Sequence, residues 1–276
     1  MTDTIRLRLD VTYDGAGFSG WAAQPERRTV AGVLTEALHR ILGAAGADLP
    51  LGLTVAGRTD AGVHATGQVC HIDLPAERYA DLAGTLLRRL NGLLPPDARV
   101  KGVLPVPATF DARFSATFRR YEYRVCDDGW GPEPLRRHDT LGWVRPLDLD
   151  LLNAAAAGLL GEHDFAAFCK RKEHATTIRA IARLDWRREP DRTLVATVQA
   201  DAFCQAMVRS LVGAMLAVGE GRRPPDWPAK LLTLRERSSE VTVAPAHGLT
   251  LVAVGYPTEA DYAVRADATR RLRTLP

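Results

Sequence analysis

Lysine is almost missing from this chain. Of 36 basic residues among 276, only Lys101, Lys170, Lys172 and Lys230 are lysines, which leaves 32 arginines. Arginine suits phosphate contacts and base stacking, because its planar fork donates bidentately and lies flat on rings. A chain this rich in Ala, Gly and Arg can also reflect codon usage, so local clustering carries more weight than the total. Cysteine is scarce too. Cys70, Cys126, Cys169 and Cys204 lie far apart in sequence with no C-x-x-C pair, which argues against a zinc site. They read as small buried hydrophobes in a reducing compartment. Long apolar runs are missing as well: LVGAMLAVG, over 211–219, is far too short to span a bilayer. The opening MTDTIRLRLD alternates charge with aliphatics and holds no signal-peptide core, so a cytoplasmic location without membrane contact is expected. There is no H-E-x-x-H, no Walker loop and no G-x-S-x-G elbow. The glycine-rich YDGAGFSGW lacks the strand-turn-helix setting of a dinucleotide fold. No metal, nucleotide or other cofactor is expected.

What remains is a globular composition, 46% hydrophobic and 25% charged with net charge +3. Residues 4–13, TIRLRLDVTY, alternate as a half-buried strand. Residues 29–42 carry a helical stripe at Val30, Val33, Leu34, Leu38, Ile41 and Leu42, with Thr29 as cap. Strands at 51–56 and 67–74, a helix through Leu82, Leu86, Leu87 and Leu90, and a strand near 99–104 complete β-α-β-β-α-β, the ferredoxin-like order. The second half repeats that order: strand 117–126, helix 148–160, strands 176–188 and 192–200 around an EPDR turn, helix 204–218 and strand 249–256. A short helix near 226–237 reads as an insertion. The fold class expected is therefore α+β, two ferredoxin-like halves joined around a central, mostly antiparallel sheet with a cleft between them. The boundaries are 1–106 for the half bearing the catalytic loop, 107–257 for the half completing the cleft, and 258–276 for a polar, loosely held tail.

Four stretches could carry chemistry. GRTDAGVHATGQVCH, 57–71, puts Arg58, Thr59 and Asp60 on one glycine-punctuated bend, a pattern that ordinary turn chemistry also explains. FRRYEYRV, 118–125, alternates strictly, so Arg119, Tyr121, Tyr123 and Val125 share one face. Such tyrosines serve a core or, at a cleft floor, stack on a base. In FCQAMVRSLVGAMLAVG, Arg209 borders an apolar stripe, with Gln205 one turn before it and Gly213 one turn after. It either snorkels to solvent or takes a carboxylate partner, for which Asp60 is available. KRKEHATTIRAIARLDWRR, 170–188, has seven basic and two acidic residues around Trp186. It is a solvated face or a phosphate-contacting surface, with Lys170, Arg171 and Lys172 at its head.

Together these stretches resemble the tRNA pseudouridine synthase A family over residues 6–256. YDGAGFSGWAAQ, GRTDAGVHATGQVCH, LNGLLPPDARV, FDARFSATFRRYEYRV, HDFAAFCK, TTIRAI, MVRSLVGAMLAVGEG and APAHGLTLVAVGY follow in the family's order. The resemblance implies a two-domain α+β fold, usually a homodimer, that isomerises uridines of the tRNA anticodon arm (tRNA positions 38 to 40). It implies Asp60 as nucleophile and Tyr121 against the uracil, with Arg58 and Arg209 lining the site. The chain departs from the family pattern at Asp111, where FDARF replaces F-H-A-R-F, at Ala22, where Gln is usual, and in ADAFCQ, where G-x-G-F-L is usual.

Making pseudouridine breaks the N1–C1′ glycosidic bond, turns the uracil and joins C5 to C1′, with no oxidation and no departing group. A carboxylate can add to C6 or to C1′, or take a proton at C2′ on a glycal route, and all three routes use Asp60. It must stay ionised against desolvation, which a facing guanidinium assists. The base must also leave its stack at a cost of a few kcal/mol; Arg58 could fill the vacated space. Two rivals stand beside this reading. A non-catalytic tRNA-binding module needs the basic surface but not Asp60. A hydrolase of small nucleosides needs Asp60 but not the basic segment.

Overall fold

A computed structural model describes residues 3–43, 49–170 and 176–271. The fold is α+β, with mostly antiparallel strands. In chain order the elements begin with β1 (Thr4–Tyr13), α1 (Val30–Leu42), β2 (Thr54–Val55), β3 (His64–Pro75), α2 (Ala76–Leu82), α3 (Leu86–Leu93) and β4 (Ala98–Val106). They continue with β5 (Phe118–Cys126), β6 (Leu141–Gly142), α4 (Leu149–Ala157), β7 (Gly161–Asp164), β8 (Ile178–Arg188), β9 (Leu194–Ala200), α5 (Met207–Gly219) and α6 (Trp227–Lys230). The last two are β10 (Leu249–Gly255) and α7 (Tyr262–Arg270). Two compact units result. One holds the described residues up to Thr117 together with Leu251–Arg271, and the other holds Phe118–Thr250.

In the first unit the strands run β4-β1-β3-β10, with β2 also on β3. β1 pairs antiparallel with β3 and β4. Its alternation buries Leu7, Leu9, Val11 and Tyr13, each aliphatic contributing roughly 1.5–3 kcal/mol when withdrawn from water. Thr29 caps α1 by accepting from Gly32 N at 3.2 Å; Leu34, Leu38 and Ile41 lie on the helix's buried side. The β1–β3 register slips between Val11↔Gln68 and Tyr13↔Ala65, so Thr66 and Gly67 together face Thr12. Such a bulge bends a strand and re-aims its neighbours. Gly67 is required there, since a Cβ would lie 2.1 Å from Val252 O.

A second cluster in this unit gathers Ala56, Val69, Phe110, Ala112 and Tyr262. Tyr256 and Tyr262 flank Phe110 at 4.9 and 5.1 Å between centroids, and Ser115 Oγ donates to Tyr262 O. The loosely held tail read from composition is thus corrected over α7. Two buried residues, Tyr262 and Ala266, dock an otherwise polar helix. Asp111, the departure from the family's histidine, caps its own turn by accepting from Arg113 N and Phe114 N at 2.8 and 2.9 Å.

The second unit orders its strands β5-β9-β8-β7, all antiparallel, with β6 parallel to β5. Asp148 caps α4 through Asp150 N and Leu151 N. α5 is buried on nearly every side. A Cβ on Gly213 would lie 1.8 Å from Thr242 O, and one on Gly219 would meet Leu152. α5 begins at Met207, three residues later than expected, because Ala206 holds a left-handed φ of 64°. In the first unit the single helix expected through Leu82–Leu90 is two, α2 and α3, with Ala83, Gly84 and Thr85 between them. Gly is a poor helix former, and α3 then buries Leu86 and Leu90, one turn apart.

The cysteines also need correction. Cys169 and Cys204, 35 positions apart, are joined by a disulfide with Cα atoms 5.7 Å apart; that spacing is ordinary for a bridge. An antiparallel bridge between Lys170 and Gln205 brings the two segments together. Cys70 and Cys126 are free and buried. Alkylating the denatured protein, purified without reductant, is expected to label two cysteines, and four after reduction. Four labelled cysteines before reduction would show that the pair is a dithiol.

Candidate active site

The bend at 57–63 leaves β2 where Ala56 N donates to Val69 O at 2.8 Å. It closes with Val63 N donating to Asp60 O at 3.2 Å, Gly62 supplying a φ of 78°. On it Arg58 is exposed, Thr59 buried and Asp60 half-buried. These three sit together because consecutive turn residues have no strand ladder to separate them.

A second glycine-rich loop, 14–21, forms the floor of this bend. Trp21 N donates to Thr59 O at 3.1 Å, and Gly62 N to Phe18 O at 3.3 Å. Gly15 N donates to His64 Nδ1 at 2.9 Å. Side chains do not fit between the two loops. A Cβ on Gly15 would lie 2.1 Å from Val63 O, and one on Gly20, already at φ 94°, would lie 2.8 Å from Thr59 O. Below them Tyr13 Oη and Thr59 Oγ1 share a hydrogen bond of 2.7 Å. Gln68 Nε2 donates to Tyr13 Oη at 3.2 Å and to Gly57 O at 2.8 Å. Sequence reading singled out neither Tyr13 nor Gln68. A polar residue within the apolar run of β3 was the available signal.

The second unit holds Tyr121, Arg209 and Lys170. Tyr121 is buried on β5 opposite Val198 of β9, and Phe203 meets its ring edge-on, with centroids 5.2 Å apart at 86°. Arg119, on the same face of β5, is buried and donates to Asp201 O at 2.8 Å. Arg209 lies in the first turn of α5, half-buried; its Nε donates to Ala244 O at 2.7 Å while Ala244 N donates to Arg209 O. Its guanidinium is therefore steered by a loop carbonyl. Lys170 is exposed, and its N–H donates to Gln205 O at 3.0 Å. The segment 201–206 thus links Tyr121, through Phe203, to Lys170 and to the start of α5. Arg171 and Lys172 lie outside the described residues. Further along that basic run Arg183 pairs with Asp185, Arg187 with Glu122 and Glu189, and Arg188 with Asp127. Much of its charge is neutralised within β8 and its neighbours.

A half-buried carboxylate on a rigidly held bend can serve as nucleophile or base toward a group brought to it. A model described as tRNA pseudouridine synthase matches residues 155–257. The tRNA pseudouridine synthase A of Frankia casuarinae is 58% identical over 278 residues, covering all of this chain and 98% of that protein. The chain belongs to the tRNA pseudouridine synthase A family. The family member from Streptomyces griseus is 54% identical, covering 99% of this chain and 95% of that protein. The family member from Mycobacterium leprae is 48% identical, covering 99% and 97%. Among the described residues, no helix is long and apolar enough to cross a membrane.

Burial pushes the Tyr13 phenol up to about 12, against the opposing effect of its hydrogen bonds with Thr59 and Gln68. A phenol in an unfolded chain titrates near ~10. The folded state thus prefers the protonated form, so this contribution to stability is complete below pH ~10 and lost as pH rises toward ~12. Tyr13→Phe is expected to flatten the alkaline branch of urea-unfolding stability across that window. Equal slopes in both proteins would mean that Tyr13 does not titrate there.

Proposed function

We propose that this chain isomerises uridine to pseudouridine in the anticodon arm of tRNA, with Asp60 as the group that attacks the nucleotide. The observation carrying the assignment is the bend itself, which presents Asp60 between pinned residues at 57, 59, 62 and 63. The relatives' name and the full-length identity support the reaction class. In that reaction N1–C1′ breaks, C5–C1′ forms, the C5 proton leaves to solvent and N1 gains a proton. Asp60 adds to the base or the ribose and is expelled intact, or takes the C2′ proton and returns it on the glycal route. Tyr121 stacks on the extruded uracil, and Arg58 holds the displaced backbone. Arg209 stabilises the carboxylate. Each unit is read as one ferredoxin-like half: β4-β1-β3-β2 follows that fold's 4-1-3-2 order, and β5-β9-β8 its 1-3-2 portion. The enzyme is read as a homodimer.

The test uses tRNA transcripts tritiated at uridine C5. Wild-type protein is expected to release tritium into water without added nucleotide, and with EDTA once a polyamine keeps the tRNA folded. Asp60→Asn should abolish release while tRNA affinity stays within tenfold, about 1.4 kcal/mol. Tight binding with no release from any transcript would favour the binding-module reading, and free uracil would favour the hydrolase. Turnover by Asp60→Asn near the wild-type rate would remove the nucleophile assignment.

Arg209 generates a second expectation. Arg209→Met should lower kcat at least tenfold while changing the Kd for tRNA less than threefold, since its proposed partner is the carboxylate and not a phosphate. A weakened Kd with kcat intact would make it an RNA-contacting arginine instead.

A further inference from the structure

The polar groups beneath the bend form a connected chain. Gly57 O can only accept, so the Gln68 atom 2.8 Å from it is the amide nitrogen, and the second hydrogen of that nitrogen goes to Tyr13 Oη. The same phenol oxygen shares a hydrogen bond of 2.7 Å with Thr59 Oγ1. Gln68 is fully buried and Tyr13 nearly so; neither has water with which to replace a lost partner. The chain grips the bend at Gly57 and at Thr59, on both sides of Arg58 and directly before Asp60.

We infer that Tyr13 and Gln68 are positioning residues for the reaction, holding Gly57 and Thr59 so that Asp60 meets its target in register, and that they set kcat without setting tRNA affinity. This rests on the reading of Asp60 as the attacking group. Tyr13 and Gln68 touch no substrate in this role; they act through Thr59 and the backbone at 57. The arrangement requires the β3 bulge, because the slip at Thr66 and Gly67 is what sets Tyr13 opposite Ala65 while Gln68 lies opposite Val11. A displacement of the attacking atom by about 1 Å can cost about a hundredfold in rate, so loosening a hydroxyl grip one residue from the nucleophile has a measurable effect.

Tyr13→Phe keeps the ring that packs 6.3 Å from Phe18 and 6.0 Å from Trp21 and removes only the oxygen. It is expected to lower kcat at least tenfold with the Kd for tRNA changed less than threefold. Thr59→Val should show the same split, whereas Thr59→Ser, which keeps the hydroxyl, should stay within threefold of wild type. Because the two sites act in one chain, the double variant Tyr13→Phe with Thr59→Val should fall no more than threefold below the worse single. Hydrogen exchange supplies the local readout: the amides of Trp21 and Val63, which donate to Thr59 O and Asp60 O, should exchange faster in Tyr13→Phe while those of β1 and β3 stay protected. If Tyr13→Phe loses β1 and β3 protection, Thr59→Val decides. Unchanged kcat in the folded variants, equal losses in kcat and affinity, or multiplicative effects in the double would overturn the inference. A failure of the Asp60 reading is recognised separately, as turnover retained by Asp60→Asn.

Discussion

Asp60 stands on a bend, where no strand ladder holds the backbone still. Here the backbone of a second loop replaces the ladder. Phe18 O and the Trp21 N–H bond the bend that carries Asp60, and glycines at 15 and 20 let the two chains approach to distances that a methyl group would forbid. Everything beneath serves that contact. β1 delivers Tyr13 to the end of the first loop, β3 delivers Gln68 through its bulge, and the aliphatic face of β1 buries the strands that carry both. The bend is rigid because its supports are short, polar and enclosed.

How much of this could be read in the sequence follows from the range over which each interaction acts. The alternation of β5 is legible because one face is buried and the other is not, and Arg119, Tyr121 and Tyr123 emerge on the buried side. The Thr29 cap is legible because its partner is three residues away. α7 is not, because only two of its side chains are buried. The Cys169–Cys204 bridge depends on a pairing across 35 residues, which spacing cannot reveal. For the proposed site, motif resemblance named Asp60, Arg58, Tyr121 and Arg209 as candidates. Tyr13 and Gln68 were not, since their meeting depends on a one-residue slip in register.

The arginine excess has a structural meaning that the total hides. Arg6 forks onto Asp73, Arg28 onto Asp97, and Arg188 onto Asp127. Each pair joins residues distant in sequence, and the guanidinium's paired donors match a carboxylate's two oxygens in a way that lysine cannot. The hydrogen bond from Arg6 holds the Asp73 carboxyl below its usual range. Much of what looks like a nucleic-acid signature is therefore internal stitching.

The return of the chain to its first unit has a consequence for synthesis on the ribosome. Residues up to Thr117 emerge early, yet β3 then lacks its neighbour β10, and Phe110 lacks Tyr256 and Tyr262. The intervening 118–250 is contiguous and can fold as it appears. The nascent first unit meanwhile carries an open strand edge and a bare aromatic, the features that invite wrong partners. The part of the protein that bears Asp60 is thus begun first and finished last.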